Sequence, residues 1–192
     1  MRTAVVALLP PLALMAGGVA AMYTPKCGLA AAITVAYLVM TPLAYYARPY
    51  VARNLRHVAV AAFSMAALWA LQYALAPLLS QYDVTNLIVS MLSTCDKWKI
   101  YLTLSAIVLA PAAEEALFRG ILFQELEKRA GLAVAYVGSA LAFAAAHGFP
   151  ALIPLYFAYG LVLTHAFRGG GFLFATLLHG VNNLLALYPI LQ

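Results

Sequence analysis

The sequence predicts an all-α polytopic membrane protein, a bundle of about seven transmembrane helices, and two observations lead to this prediction. The first is composition, because 66% of the 192 residues are apolar and only 9% are charged, whereas about a quarter of the residues in a soluble domain are charged. With a mean hydropathy of +0.92, apolar residues exceed what one soluble core of this length hides. The second is that they form runs of about 20, the length at which a helix crosses about 30 Å of hydrocarbon.

Seven such runs follow one another along the chain, separated by short polar breaks or by glycine and proline. The first run resembles a secretory leader, but its length and the lack of a small-x-small cleavage site favour a retained helix. No loop is long enough for a soluble domain, so we expect residues 1–192 to form a single integral membrane domain. The predicted spans are 3–22, 28–46, 57–79, 100–118, 131–149, 151–167 and 172–190.

Basic residues in the short loops predict the orientation, because such residues are enriched on the cytosolic side of a membrane protein. With the N-terminus in the cytosol and the C-terminus outside, eight basic residues are cytosolic and three are external. The basic face favours anionic lipid headgroups, and nothing in the sequence indicates nucleic-acid binding. The cytosolic set is Arg2, Arg48, Arg53, Arg56, Arg119, Lys128, Arg129 and Arg168, and the external set is Lys26, Lys97 and Lys99.

The chain has two cysteines, too few for a disulfide framework or a multi-cysteine zinc module. In the predicted orientation Cys27 and Cys95 both lie in external loops. They can form a disulfide where that compartment is oxidising. Two isolated thiols are the alternative, and the sequence leaves the choice open.

The first chemical feature is a pair of adjacent carboxylates, Glu114 and Glu115, in an apolar span. An acidic residue near the bilayer centre costs roughly 2.5 to 3.5 kcal/mol and usually marks a function or a buried pair. Glu115 and Arg119 are spaced i, i+4 with the acid first, the order in which a helix pairs them. Glu114 points about 100° away round the helix, which makes it the candidate for a reactive carboxylate. The alternative is that all three residues form an ion cluster at the cytosolic boundary.

Histidines in the fifth and seventh spans are the second chemical feature. His147 lies among small residues, which leave room for a substrate or a water molecule. His179 and Asn183 share a helical face at i, i+4. For each of the three residues, helix packing through a hydrogen bond is the alternative to a chemical role.

A helical hairpin is expected to relate the two features. Glu114 lies 16 residues before the apparent turn at Ala130, and His147 lies 17 residues after it. An antiparallel pair of helices would therefore bring these two side chains to the same level. This requires the fourth helix to continue through the amphipathic stretch 121–129, whose charged residues indicate a solvated face.

Three motifs in this order resemble the CAAX prenyl protease 2 and bacteriocin-processing family of intramembrane proteases, also called the CPBP or Abi family. The resemblance covers about residues 105–187. The Gly160-Leu161 pair and the turn after Arg168 fit as well, although the triple glycine of that turn departs from the pattern. The motifs are Glu-Glu-x-x-x-Arg at Glu114, Glu115 and Arg119, Phe-x-x-x-His at Phe143 and His147, and His-x-x-x-Asn at His179 and Asn183.

The resemblance implies an endopeptidase that cleaves a membrane-associated protein or peptide, which in eukaryotic members of the family is a prenylated CAAX protein. Hydrolysis needs a base for water and donors for the oxyanion. Glu114 and His147 would then bind and activate the water, and His179 and Asn183 would stabilise the oxyanion. Glu115 and Arg119 would hold the helix in place.

A metal cofactor is not required by this scheme and stays open. Glu114, His147 and His179 are a plausible zinc set with a position left for water, yet a His-Glu-x-x-His motif is missing, and a glutamate with a histidine can activate water without a metal. Neither a Gly-x-Ser-x-Gly motif nor a cysteine close to a histidine in sequence is present. The alternatives from other classes are a proton-coupled transporter, which the lack of an internal repeat disfavours, and a non-catalytic membrane scaffold of the same family.

Overall fold

The computed structural model describes residues 2–46, 54–80 and 85–192. These residues are helical almost throughout and include no strand. Two π-helical segments, Leu104–Leu109 and Ala116–Phe123, and a 3₁₀ turn at Pro150–Leu152 join some of the α-helices. The α-helices are α1 (Arg2–Tyr23), α2 (Gly28–Met40), α3 (Leu43–Tyr46), α4 (Leu55–Leu79), α5 (Thr85–Leu92), α6 (Trp98–Thr103), α7 (Ala110–Glu115), α8 (Gln124–Ala130), α9 (Leu132–Ala146) and α10 (Ile153–Leu191).

Four helical stretches among the described residues are long and apolar enough to cross a membrane, which confirms the predicted class of all-α integral membrane protein. The count of seven spans is approximate, because α9 has only 15 residues and α10 contains two predicted spans. Gly171 divides α10 with φ 75° and ψ −171°, a backbone conformation that favours glycine, so the break lies in the predicted glycine turn. The four stretches are Gly28–Tyr45, Leu55–Leu78, Trp98–Ala130 and Pro150–Leu191.

The fourth predicted span is the first part of a continuous helix from Trp98 to Ala130, which is longer than the predicted 100–118. A proline explains its irregular register. In the first π segment the N–H of Ala110 donates to the carbonyl of Ser105, five residues back. The next bond in that register would run from Pro111 to Ala106, but proline has no N–H, so the Ala106 carbonyl needs a donor from elsewhere.

The helices form two compact units. The first unit comprises residues 1–46, 84–114 and 179–192, and the second comprises 47–83 and 115–178. In the first unit α1 packs closely on α2, since a Cβ on Gly17 would lie 2.6 Å from the Ala32 carbonyl oxygen. The Lys99 Nζ donates to the Leu191 carbonyl over 2.8 Å and so ties the end of α10 to α6.

Cys27 and Cys95 form a disulfide within the first unit, so the alternative of two isolated thiols is wrong. The bond joins the turn between α1 and α2 to the segment between α5 and α6. Thr94, next to Cys95, reinforces the same connection by donating its hydroxyl to the Lys26 carbonyl over 3.0 Å. The two loops are therefore held together by a covalent bond and a hydrogen bond.

The second unit contains the predicted helical hairpin. The helix that carries Glu115 continues to Ala130, Gly131 turns the chain with φ 84°, and α9 begins at Leu132. Where α9 meets α10, a Cβ on Gly160 would lie 2.9 Å from the Ala140 Cα, so only glycine permits this approach. The hairpin is thus confirmed, whereas the equal level of Glu114 and His147 stays a prediction.

Arg119 corrects the prediction of orientation in one respect. The prediction places it among the cytosolic basic residues, but it lies inside the helix, pairs with an acid one turn earlier and is fully buried. Without it the cytosolic count falls from eight to seven, against three external residues. Arg48 and Arg53, which belong to that count, lie outside the described residues.

Candidate active site

Glu114 and Glu115 end α7, a single α-helical stretch between the two π segments. Such π segments are frequent at functional sites. The two adjacent acids have different surroundings, as their angular separation round the helix predicts. The Glu114 side chain keeps 14% of its surface exposed, whereas Glu115 is fully buried. Glu114 is therefore the carboxylate that a water molecule can reach.

Two side chains of the first unit contact the Glu114 carboxylate. The Tyr37 hydroxyl on α2 donates to Oε1 over 2.7 Å. On the other oxygen, the His179 Nε2 lies 3.8 Å from Oε2, and the His179 side chain is 3% exposed. The structure thus brings together Glu114 and His179, two of the predicted site residues, and adds a tyrosine that the sequence analysis missed.

Asn183 supplies the donor that the Ala106 carbonyl needs. Its Nδ2 donates to that oxygen over 2.8 Å, which compensates for the N–H that Pro111 lacks. Gly180 permits the approach, since a Cβ there would lie 2.8 Å from the Ile107 carbonyl oxygen. Because His179 precedes Asn183 by one helical turn, the bond also fixes His179 beside α7. The Asn183 amide nitrogen carries a second hydrogen, which this contact leaves for another acceptor.

Glu115 and Arg119 form the predicted ion pair in the second unit, with 2.7 Å between Oε1 and Nη1. The Arg119 Nη2 also donates to the Gly160 carbonyl over 3.0 Å, and its guanidinium lies 4.4 Å from the centre of the Phe143 ring. Both side chains of the pair are fully buried. The pair is therefore a structural connection inside the unit and not a solvated cluster at a membrane boundary.

His147 follows the last residue of α9, also in the second unit. Its Nδ1 lies 2.8 Å from the Phe143 carbonyl oxygen, and since a carbonyl only accepts, Nδ1 carries the proton. In the neutral imidazole, Nε2 then keeps its lone pair. The ring stacks on Tyr156 with 4.0 Å between the centroids. His147 is thus oriented with one nitrogen able to accept a proton or a hydrogen bond.

Zinc is the metal that the sequence left open. Glu114 and His179 are two side chains of the type that zinc prefers, and a catalytic zinc site has three protein ligands. Among the described residues, no group of three or more His, Cys, Asp or Glu side chains could hold a metal ion. The zinc set of Glu114, His147 and His179 stays a prediction.

Tyr37 and Pro111 are the two residues of this site that the sequence analysis missed. Pro111 was visible as a proline in the middle of an apolar span. Tyr37 gave a weaker indication, namely that Thr34 and Tyr37 are polar groups three residues apart on an apolar helix, which puts them on one face. Neither indication predicts which residue is contacted, because the hydrogen bonds of Tyr37 to Glu114 and of Asn183 to the Ala106 carbonyl join distant parts of the sequence.

Comparison with known families finds a match in the segment of the chain that carries these residues. Residues 96–185 match the family described as type II CAAX prenyl endopeptidase Rce1-like, which is 90 of the 192 residues. The resemblance of this segment to the CAAX proteases, a family of membrane proteases, is thereby confirmed. No curated protein and no solved structure matches the chain. The matched segment includes all six predicted site residues, Glu114, Glu115, Arg119, His147, His179 and Asn183.

Proposed function

We propose that the chain is an intramembrane endopeptidase in which Glu114 activates water to hydrolyse a peptide bond of a membrane-associated substrate. One observation supports this most strongly. The Glu114 carboxylate is partly exposed and lies 3.8 Å from the buried His179 imidazole, within a segment that matches a membrane protease family. A carboxylate inside an apolar span is costly and usually marks a functional site. Glu114 has no cationic side chain on the same face of its own helix.

Glu114 acts as the general base in this proposal. It takes one proton from water while the water oxygen forms a bond to the carbonyl carbon, and the carbonyl electron pair moves to its oxygen. When the tetrahedral species collapses, the bond from carbon to nitrogen breaks. The leaving nitrogen takes the proton back from Glu114, so that the products are a carboxylic acid and an amine.

His179 and Asn183 stabilise the negative oxygen of the tetrahedral species in this proposal. The burial of His179 supports the role, because a hydrogen bond to a developing charge is stronger where water is excluded. For Asn183 the support is the second amide hydrogen, since the first is held by the Ala106 carbonyl. Asn183 therefore has two functions, one in positioning the helix and one toward the substrate.

His147 binds the same water in this proposal. The support is its place in the Phe-x-x-x-His motif of the matched segment and its own hydrogen bond. Since Nδ1 donates to the Phe143 carbonyl, Nε2 is the nitrogen that accepts from water. The scheme needs no metal, and we propose a metal-free reaction.

The test is peptide cleavage by the purified full chain in lipid vesicles, with products mapped by mass spectrometry. The substrates are a farnesylated peptide ending in a CAAX sequence, the same peptide without the lipid, and a mixture of unmodified membrane peptides. We expect cleavage of at least one of them by the wild type and no product with Glu114→Gln. Glu125→Gln is the matched control, because Glu125 is an exposed acid on α8. Equal products from the wild type and Glu114→Gln would contradict the proposal.

We also propose the orientation with the N-terminus in the cytosol and the C-terminus outside. The support is the count of seven basic residues assigned to the cytosolic side against three assigned to the outside. Single cysteines introduced at Lys128 and at Lys97 in a chain without its native cysteines test this orientation. We expect a membrane-impermeant thiol reagent added to intact cells to label the cysteine at position 97 and not the one at position 128. The reverse pattern would contradict the orientation.

A further inference from the structure

We propose that Tyr37 is a positioning residue for Glu114, supplied by a helix outside the segment that matches the family. This inference rests on the proposed function. The Tyr37 hydroxyl donates to Glu114 Oε1 over 2.7 Å, while the other oxygen, Oε2, faces His179. The two carboxylate oxygens therefore have different neighbours, and the hydrogen bond from Tyr37 fixes the orientation of the carboxylate plane.

The approach of Tyr37 to Glu114 is supported by a second polar contact on the same face of α2. Thr34 and Ser105 have their hydroxyl oxygens 2.7 Å apart. Because Thr34 donates its own hydroxyl hydrogen to the Ala30 carbonyl over 2.8 Å, the hydrogen between the two hydroxyls comes from Ser105. Thr34 precedes Tyr37 by three residues, so both contacts hold the same face of α2. Tyr37 is thus directed at Glu114 by a fixed helix.

The chemical consequence concerns rotation of the carboxylate. The last torsion of a glutamate side chain is broad, so without a second hydrogen bond the carboxylate plane turns away from the orientation that the water needs. A charge-assisted hydrogen bond such as that from Tyr37 is stronger than a neutral one. It keeps Oε1 on Tyr37 and leaves Oε2 as the basic oxygen beside His179. A misplacement of about 1 Å at a reacting group costs up to about a hundredfold in rate.

Tyr37→Phe tests the proposal, because it removes the hydroxyl and keeps the ring. The matched control is Tyr188→Phe, since Tyr188 is an exposed tyrosine on α10 in the same unit. In the peptide cleavage assay we expect kcat of Tyr37→Phe to fall by about tenfold to a hundredfold with KM within twofold of the wild type. We expect Tyr188→Phe to match the wild type in both constants. A kcat of Tyr37→Phe within twofold of the wild type, or a loss that disappears when rates are normalised to folded protein, would overturn the proposal.

Infrared spectroscopy tests the hydrogen bond without relying on activity. The difference spectrum between the wild type and Glu114→Gln contains the carboxyl band of Glu114. We expect Tyr37→Phe to move that band, because the carboxylate loses a donated hydrogen bond, and Tyr188→Phe to leave it in place. A band that does not move would overturn the role of Tyr37 even if the chain is active. If Tyr37→Phe moves the band but the wild-type chain cleaves no peptide, the proposed function is overturned and the hydrogen bond is retained.

Discussion

At the scale of single residues, the two adjacent acids differ in what they contact, and the sequence predicted only half of this difference. The pairing of Glu115 with Arg119 follows from helical spacing, because both residues lie on one short stretch. The contact of Tyr37 with Glu114 joins residues 77 apart. The spacing of residues within one helix cannot predict such a contact, because the contact depends on which helices pack together.

Arg119→Ala tests the buried pair. Removing the cation leaves the buried Glu115 carboxylate without its ion-pair partner, which costs about 3 to 5 kcal/mol in unfolding free energy. We expect the double variant Glu115→Gln, Arg119→Met to lose less than this, since it buries no charge. The measurement is reversible unfolding in mixed micelles, with Arg129→Ala as the control because that side chain is 78% exposed. Equal stability of Arg119→Ala and Arg129→Ala would show that the pair contributes nothing.

Chelation tests the proposed metal-free reaction at the same scale. We expect the purified chain, treated with a chelator and passed through a desalting column, to keep its full rate of peptide cleavage. Elemental analysis of the same sample should give far less than one zinc per chain. Loss of activity on chelation, restored by one equivalent of zinc, would instead support the set of Glu114, His147 and His179.

At the scale of helices, sequence patterns predicted where helices break better than how regular they are. The glycine break in α10 and the hairpin at Gly131 lie where glycines predicted them. The π segments were not predicted, because an apolar run has no polar face from which a change of register is visible. Pro111 gives the physical cause of the first π segment, because it lacks an N–H. Asn183, on another helix, donates to the Ala106 carbonyl in its place.

A double-mutant cycle tests this connection between Pro111 and Asn183. Asn183→Ala leaves the Ala106 carbonyl unsatisfied, and we expect a loss of about 1 to 3 kcal/mol in unfolding free energy. Pro111→Ala restores an N–H in the same helix, so Asn183→Ala should cost clearly less in that background. Unfolding of the four proteins in the same micelles measures the coupling. Additive losses would contradict the account of the π segment.

At the scale of the whole molecule, composition alone predicted a membrane protein with helices throughout, because 66% apolar residues leave few other folds. The disulfide was less certain from sequence, since pairing depends on where two loops meet. In the first unit it joins residues separated by 68 positions, and a cross-link over so long a loop removes much of the freedom of the unfolded chain.

Replacement of both cysteines by serine tests what the disulfide contributes. We expect a loss of about 2 to 5 kcal/mol in unfolding free energy. A reducing agent should lower the stability of the wild type by a similar amount and leave the serine variant unchanged. Intact-mass measurement before and after alkylation checks the bond itself. Alkylation of both cysteines in the unreduced, denatured wild type would show that the bond does not form.

The most direct test of the account as a whole is the single-turnover rate of peptide cleavage by Glu114→Gln relative to the wild type, in the same vesicles. The amide keeps the size of the side chain and can still accept a hydrogen bond from Tyr37, but it cannot take a proton from water. We predict a rate reduced by at least about a hundredfold, with an unchanged unfolding temperature. A rate within twofold of the wild type would contradict the claim that Glu114 activates the water.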